Sequence, residues 1–408
     1  MLTTDRNDDI MQLAQLVSIR PDFACLFDSV DTEQKKRHAR NRKNKERGAS
    51  VMKKLVALLL SVMMCFACVS ALADTYVSWY TYGDVYLSSV RSEMEADFAK
   101  LNLTINGSDA NGNQQVQSDF ISTALMNNDC EAIVVNLVES GAISTAQTIM
   151  NQIQAAGIPT VWFNRPVSTN NEEAANLFLN NPASAFVGTN FEDAGVMQGE
   201  LIGQYLVEHY NDIDLNGDGK ISYIMFKGDE ANQEAIARTA LAVEYANKAL
   251  VAAGKPEIEF YDASNANKYL VDPNGSWSNV FSSEQMQTVL SMYNEGNGNM
   301  VELVICNNDD MAYGAVMALQ NAGYNHGEGT TAIPVFGVDA TDVAKDLINN
   351  GYMVGTIKQD NVGMADAVAT ITANLIAGKE NKFEGLNENY VIVDNWFVQI
   401  PYAVYTGE

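Results

Sequence analysis

The sequence predicts an α/β protein made of two doubly wound parallel-sheet units. Short apolar runs alternate with longer amphipathic segments along most of the chain, the pattern of strands followed by crossover helices. That series runs its course once and then restarts after "SAFVGT", and 408 residues are enough for two separate cores. In the first unit "TYVSWYTY", "LTING", "EAIVVNLV" and "IPTVWFN" read as strands. Between them "YLSSVRSEMEADFAKL", "QVQSDFISTALMNN" and "ISTAQTIMNQIQAAG" read as helices. The second unit opens with the helix "FEDAGVMQGELIGQYLVEHY" and continues through the strands "ISYIMFK", "EIEFYD", "VELVICN", "IPVFGVD" and "YMVGTIK". Its other helices are "EAIARTALAVEYANKALVAAG", "EQMQTVLSMYNEG" and "DMAYGAVMALQNAG". The near-continuous apolar character of these strands is that of a parallel sheet covered on both faces.

The first 73 residues stand outside this pattern. "EQKKRHARNRKNKER" is a basic run, and "MKKLVALLLSVMMCFACVSALA" follows, from Met52 to Ala73. The second segment has the build of a signal peptide: Lys53 and Lys54, an apolar stretch, then Ala71-Leu72-Ala73 as a cleavage site. Its apolar run is short for a membrane span. A signal peptide begins at an initiator, so Met52 is the expected start, with 1–51 as upstream sequence or a leader. The mature chain is expected outside the cytoplasm, freely secreted or periplasmic, because neither Cys65 nor Cys68 has the small-residue surroundings of a lipid-attachment site.

Those 73 residues carry 12 of the 25 Lys/Arg and 8 of the 51 Asp/Glu, so the remainder holds 13 basic and 43 acidic residues, a net charge of −30. Such a surface disfavours nucleic acid and anionic membrane as partners. Only Cys130, Cys306, His209 and His326 remain of their types. Two cysteines beside apolar runs read as core thiols, and two histidines leave little for imidazole catalysis.

In open parallel sheets ligands sit beyond the carboxyl ends of the strands, and polar and aromatic residues gather there. Tyr80, Asp84 and Tyr86 follow the first strand, and Asn164 follows "TVWF". Asn232, Glu234 and Arg238 follow "IMFKGD", Asn308 follows "ELVIC", Asp339 ends "VFGVD", and Gln359 follows "GTIK". Trp277 lies in the loop "DPNGSWSN". Taken singly, each of these is also a plausible loop residue or helix cap. Together, amides, carboxylates, an arginine and aromatic rings suit a polyhydroxylated neutral molecule, with paired hydrogen bonds to hydroxyls and rings over C–H faces.

At these residues the chain resembles the periplasmic galactose/glucose-binding proteins of sugar ABC transporters. The marks are "WYTYGDVY", "FNRP", "FVGTN", "DLNGDGKI", "EAIART", "CNNDDMAYGAV", "PVFGVDA", "VGTIKQD" and "IPY", in order across Asp74–Glu408. The resemblance implies a type I periplasmic-binding-protein fold: two lobes joined by a three-strand hinge near Thr189–Asn190, Lys358–Gln359 and Val398–Gln399. The first lobe would be 74–189 plus 359–398, and the second 190–358 plus 399–408. It implies a non-catalytic, monomeric receptor that delivers a galactose- or glucose-like monosaccharide to a membrane permease, with a chemoreceptor as a further partner. Tyr80, Asp84, Asn164, Arg238, Asn308 and Asp339 would be polar sugar contacts, and Tyr86 and Trp277 would stack on the sugar faces. The chain departs from the family at Asn232 and Glu234, in "NQEAIAR" where the family shows "HPDAEAR", and at Gln359, where the family has asparagine. Two other functions are compatible with such a fold. A LacI-like regulator module would need a basic helix-turn-helix before Thr75, where this chain has a signal segment, and a secreted glycoside hydrolase would use carboxylates such as Asp84 and Asp339.

"DIDLNGDGKISYIM" begins as an EF-hand loop, with Asp214, Asn216 and Asp218 at positions one, three and five, Lys220 offering its carbonyl at seven and Ser222 at nine. Position twelve, normally glutamate, is Met225. In a 2-1-3 strand order the strand beginning at Ser222 neighbours the one beginning after Glu302, so Glu302 is expected to reach the loop. The resembled family takes a calcium ligand from that position, which implies a structural calcium ion here, far from the cleft. An acidic turn without metal is the other reading.

Overall fold

A computed structural model describes residues 73–407. The leader at 1–51 and the signal segment at 52–73, Ala73 excepted, lie outside the described residues. The first sheet takes β1 (Ala73–Trp79), β2 (Leu103–Asp109), β3 (Cys130–Val135), β4 (Thr160–Phe163) and β5 (Ser184–Gly188). They are separated by α1 (Val85–Lys100), α2 (Gln114–Ala124), α3 (Ile143–Ala155) and α4 (Asn171–Leu179). The chain then forms α5 (Phe191–Ile213), β6 (Ser222–Lys227), α6 (Gln233–Ala252), β7 (Glu259–Phe260), β8 (Leu270–Val271) and α7 (Asn279–Met292). The second lobe continues with β9 (Leu303–Cys306), α8 (Asp309–Asn321), β10 (Val335–Asp339), α9 (Asp342–Asn349) and β11 (Gly355–Lys358). After α10 (Asn361–Ile376) come the short strands β12 (Val391–Val393), β13 (Phe397–Gln399) and β14 (Ala403–Tyr405).

The sheet orders are β12-β13-β5-β4-β3-β1-β2 and β14-β11-β10-β9-β6-β7, with β8 also paired to β6. Each sheet is doubly wound, as the sequence predicts, and successive side chains on a strand enter opposite cores. Val134 joins the core beneath α1 and α10, with Val90, Met94, Val368 and Ile371. Its neighbours Ile133 and Val135 join Trp162, Ile149 and Phe178 on the other face. In the second sheet Ile224 and Phe226 pack with Val289 and Val316, while Tyr223 and Met225 pack with Leu206 and Ala246. Helices α5 and α6 approach closely along Gly195, Gly199 and Gly203; a Cβ at Gly199 would lie 2.7 Å from the Ala242 carbonyl. Cys130 and Cys306 are buried free thiols, as expected for core residues.

The structure adds to and corrects the sequence reading in several places. The sheets are parallel-dominated but mixed, since β12 runs antiparallel to β13 and β14 antiparallel to β11. Gln399 still pairs with Gly188 in the first sheet, so the third crossing lies at 400–402 and not at Val398–Gln399. Helices α4, α9 and α10 are additional to the helices expected from the sequence. "EIEFYD" contributes only two residues of strand, and β8 completes that edge against β6. Among the described residues, no helix is long and apolar enough to cross a membrane.

Candidate functional site

The carboxyl ends of the two sheets face each other across a cleft with an empty volume of about 330 Å³. Its walls include Tyr80, Asp84, Tyr86 and Asn164 from the first lobe, Asn232, Glu234, Arg238, Trp277, Asn308 and Asp339 from the second, and Gln359 from a crossing. The structure therefore brings together all eleven residues singled out in the sequence.

Helix starts position three of them. Asp84 accepts the Leu87 N–H at 2.8 Å as the N-cap of α1, Asn232 the Ala235 N–H at 3.1 Å for α6, and Asn308 the Met311 N–H at 2.9 Å for α8. Each cap uses one side-chain oxygen, leaving the amide nitrogens of Asn232 and Asn308 available to the cleft. Tyr80 donates its hydroxyl to Asp84 at 3.2 Å. Asn164, Trp277 and Asp339 hold φ of +62°, +57° and +124°, a left-handed backbone that non-glycine residues adopt at a cost and that concentrates at functional sites. The Trp277 ring lies against Gly228, where any side chain would collide with the indole.

Arg238 anchors the hinge side. It donates to the Asn307 carbonyl at 2.9 Å, to Gln359 Oε1 at 2.9 Å and to the Tyr402 hydroxyl at 3.2 Å, with Glu234 at 3.7 Å. Burial works against its charge, but the phenol of Tyr402 and the carboxylates of Glu234 and Asp339 hold it protonated. Asp339 has no such network. Burial raises its carboxyl well above the usual range, with Arg238 opposing. Burial also raises Asp84, against the N–H of Leu87 and the hydroxyl of Tyr80. The Tyr86 hydroxyl, Arg238 Nε and Gln359 Nε2 are buried without hydrogen-bond partners among the described residues. Unpaired buried donors are costly, and here all three belong to side chains lining the cleft.

Three residues of the site escaped the sequence reading. Arg165 lines the cleft, lies 4.0 Å over the Tyr80 ring and donates to the carbonyls of Leu137 and Val138. It also faces Asp229 of the other lobe at 3.8 Å. Tyr402 and Thr189, on two crossings, share a 2.9 Å hydrogen bond, and Thr189 reaches Glu234 at 3.3 Å. Their sequence signal is membership of "FNRP", "FVGTN" and "IPY", and Thr189 also marks the first expected crossing.

Glu302 does reach the Asp214 loop. Its carboxylate accepts the N–H groups of Leu215 at 2.8 Å, Asn216 at 3.2 Å and Ser222 at 2.9 Å. Met225 faces the core, so it cannot be a ligand. Burial raises the Glu302 carboxyl, and Asp214 adds to this. Asp214 accepts from Asp218 and Gly219, Asp218 accepts from Lys220, and the Lys220 ammonium turns outward to Glu259. The donor set is all oxygen, the chemistry of a hard cation. Among the described residues, however, no three His, Cys, Asp or Glu side chains are gathered closely enough to hold a metal; the loop carboxylates bind backbone N–H groups.

A family profile described as "Periplasmic binding protein domain" matches residues 75–380. The D-galactose/methyl-galactoside binding periplasmic protein MglB of Haemophilus influenzae is 30% identical over 74% of this chain and 81% of its own length. A putative rhizopine-binding protein of Rhizobium meliloti is 28% identical over 74% and 84%. An ABC transporter solute binding protein from Clostridium phytofermentans, solved with bound β-D-glucose, has a TM-score of 0.61 at 17% identity, covering 82% of this chain and 94% of that one. Another from Bacillus halodurans, with bound myo-inositol, has a TM-score of 0.59 at 21% identity over 83% and 96%. These relatives are binding and transport proteins, not enzymes, so the hydrolase alternative is set aside. The chain belongs to the periplasmic binding protein family, with the type I fold of its sugar-binding members.

Proposed function

We propose that the protein captures one galactose- or glucose-like monosaccharide in this cleft, outside the cytoplasm, and hands it to an ABC permease. The observation that carries the reading is a single buried cleft with an aromatic ring from each lobe, Tyr86 and Trp277, among carboxylates, amides and two guanidiniums. Rings cover the C–H faces of a pyranose while the unpaired donors of Tyr86, Arg238 and Gln359 meet its oxygens. The protein acts as a monomer and closes by hinge bending, a motion for which periplasmic binding proteins are a standard example; the closed form is what a permease or a chemoreceptor recognises. A thermal-shift panel of monosaccharides tests this: galactose, glucose or a close epimer should raise the melting temperature, and no response to any sugar would refute it.

We further propose that calcium occupies the loop held by Asp214, Asn216, Asp218, the Lys220 carbonyl, Ser222 and Glu302, and braces the second lobe. Support comes from the all-oxygen donor set and from the reach of Glu302 across the strand neighbours β6 and β9.

A further inference from the structure

On the opposite edge of the first lobe, a second pocket opens between the end of α3 and the end of α4. It lies at the amino ends of β4 and β5, so the depth of the sheet separates it from the cleft at their carboxyl ends. Its empty volume is about 510 Å³, with room for the centre of a water molecule over about 210 Å³. Met150, Ile153, Ile158, Thr160, Asn181 and Ser184 form the floor, all buried except the half-buried Ile158. Gln154, Gly157, Pro182 and Ala183 form an exposed rim, which leaves the mouth open to solvent.

Two polar side-chain atoms on this floor are left over. Ser184 donates its hydroxyl to the Asn181 carbonyl at 2.6 Å, and the N–H groups of Ile158, Thr160 and Ser184 are all paired. The Asn181 amide donates to the Leu177 carbonyl at 2.6 Å, which fixes its orientation and leaves Oδ1 as the free end. Asn181 Oδ1 and Thr160 Oγ1 are buried with no hydrogen-bond partner among the described residues, and their residues are only 7% and 2% exposed. The parallel register sets Thr160 opposite Ser184, and Ser184 is itself bound to Asn181, so both residues stand at neighbouring strand starts. Buried polar atoms without partners are costly, and a bound group would remove that cost.

We propose that this pocket binds a small neutral molecule with an apolar ring and a single hydroxyl, the class of phenol and cyclohexanol. No charged side chain lines it, so an ion would lose its hydration without compensation. A sugar is a poor fit as well, since two free polar atoms cannot serve a ring of hydroxyls. One hydroxyl meets both needs: it donates to Asn181 Oδ1, which can only accept, and accepts from the Thr160 hydroxyl. Met150, Ile153 and Ile158 then cover the ring. An apolar cavity of about 150 Å³ holds benzene, so a six-membered ring carrying one hydroxyl has room here. The site does not depend on what the cleft binds.

The test is NMR on the purified protein with methyl-labelled isoleucine and methionine, titrated with phenol and with toluene, which has the ring without the hydroxyl. Phenol should shift the methyl signals of Met150, Ile153 and Ile158. Thr160→Val keeps the shape and removes the hydroxyl; it should weaken phenol at least about threefold and leave toluene unchanged or tighter. Thr160→Ser, which keeps a hydroxyl, should hold phenol affinity within about twofold. If phenol leaves those three methyls unshifted, the pocket holds water alone and the proposal fails. A Thr160→Val variant that changes phenol and toluene equally also overturns it, because the hydroxyl then plays no part. Should Thr160→Val fail to fold, Thr160→Ala takes its place, read by the same phenol-to-toluene ratio.

Discussion

Asp84, Asn232 and Asn308 each cap a helix with one side-chain atom and line the cleft. A cap is worth about 0.5–2 kcal/mol, so alanine at these positions would confound folding with binding. Trp277 and Asp339 give cleaner tests, because neither side chain caps a helix. Trp277→Ala or Asp339→Ala should abolish sugar-dependent stabilisation while circular dichroism stays native; unchanged affinity in both would refute the cleft assignment. Asp309 supports the site from behind, accepting the Thr356 hydroxyl at 2.6 Å and the Thr341 N–H at 2.8 Å. Burial pushes its carboxyl up to about 7. A raised carboxyl favours the folded state while protonated, so its contribution is complete below about pH 4 and is lost as pH rises through 7. Asp309→Asn should therefore flatten the fall in melting temperature between pH 5 and pH 8, and parallel slopes in mutant and wild type would contradict this.

Strand adjacency is what gives the acidic loop its meaning. The pairing of β6 with β9 places Glu302 beside Ser222, and one carboxylate satisfies three loop N–H groups. Removing it strands those donors at about 1–3 kcal/mol each where they are buried. These donors are half-buried, so Glu302→Ala should lower stability by roughly 1–3 kcal/mol even in chelator, as read by urea denaturation. The proposed calcium adds a separate expectation: chelator should lower the wild-type melting temperature and have little effect on Glu302→Gln. A wild-type melt indifferent to chelator, with no metal found by elemental assay, would leave the loop as a hydrogen-bonded turn alone.

At the scale of the whole molecule, the proposed closure would act on two lobes that share an ion pair across the gap. Arg165 and Asp229 face each other at 3.8 Å, and Asp229 lies outside the sugar-facing walls. A partly exposed pair of this kind contributes about 0–1 kcal/mol. Asp229→Asn should therefore weaken sugar affinity by no more than about fivefold and reduce its dependence on salt, as measured by titration at low and high ionic strength. A loss of a hundredfold would mean that Asp229 touches the ligand. A ligand at 100 times its Kd adds about 2.7 kcal/mol to stability, which makes thermal shift a direct readout for the sugar panel.

The alternation of apolar and amphipathic runs was enough to establish the two doubly wound lobes, because a strand buried on both faces must be apolar throughout. Eleven of the twelve residues lining the cleft are legible for a related reason: polar groups directly after buried strands fall at one edge of a sheet. Helices α4, α9 and α10 were not read, and α10 is so uniformly apolar, as in "AVATITANLI", that it shows little helical periodicity. Arg165 and Tyr402 gain their roles only from what stands opposite them, the ring of Tyr80 and the guanidinium of Arg238. Strand identity and edge position are local properties of a chain, written in its periodicity. Which side chains meet across a hinge depends on how two lobes dock, and only the tertiary structure decides that.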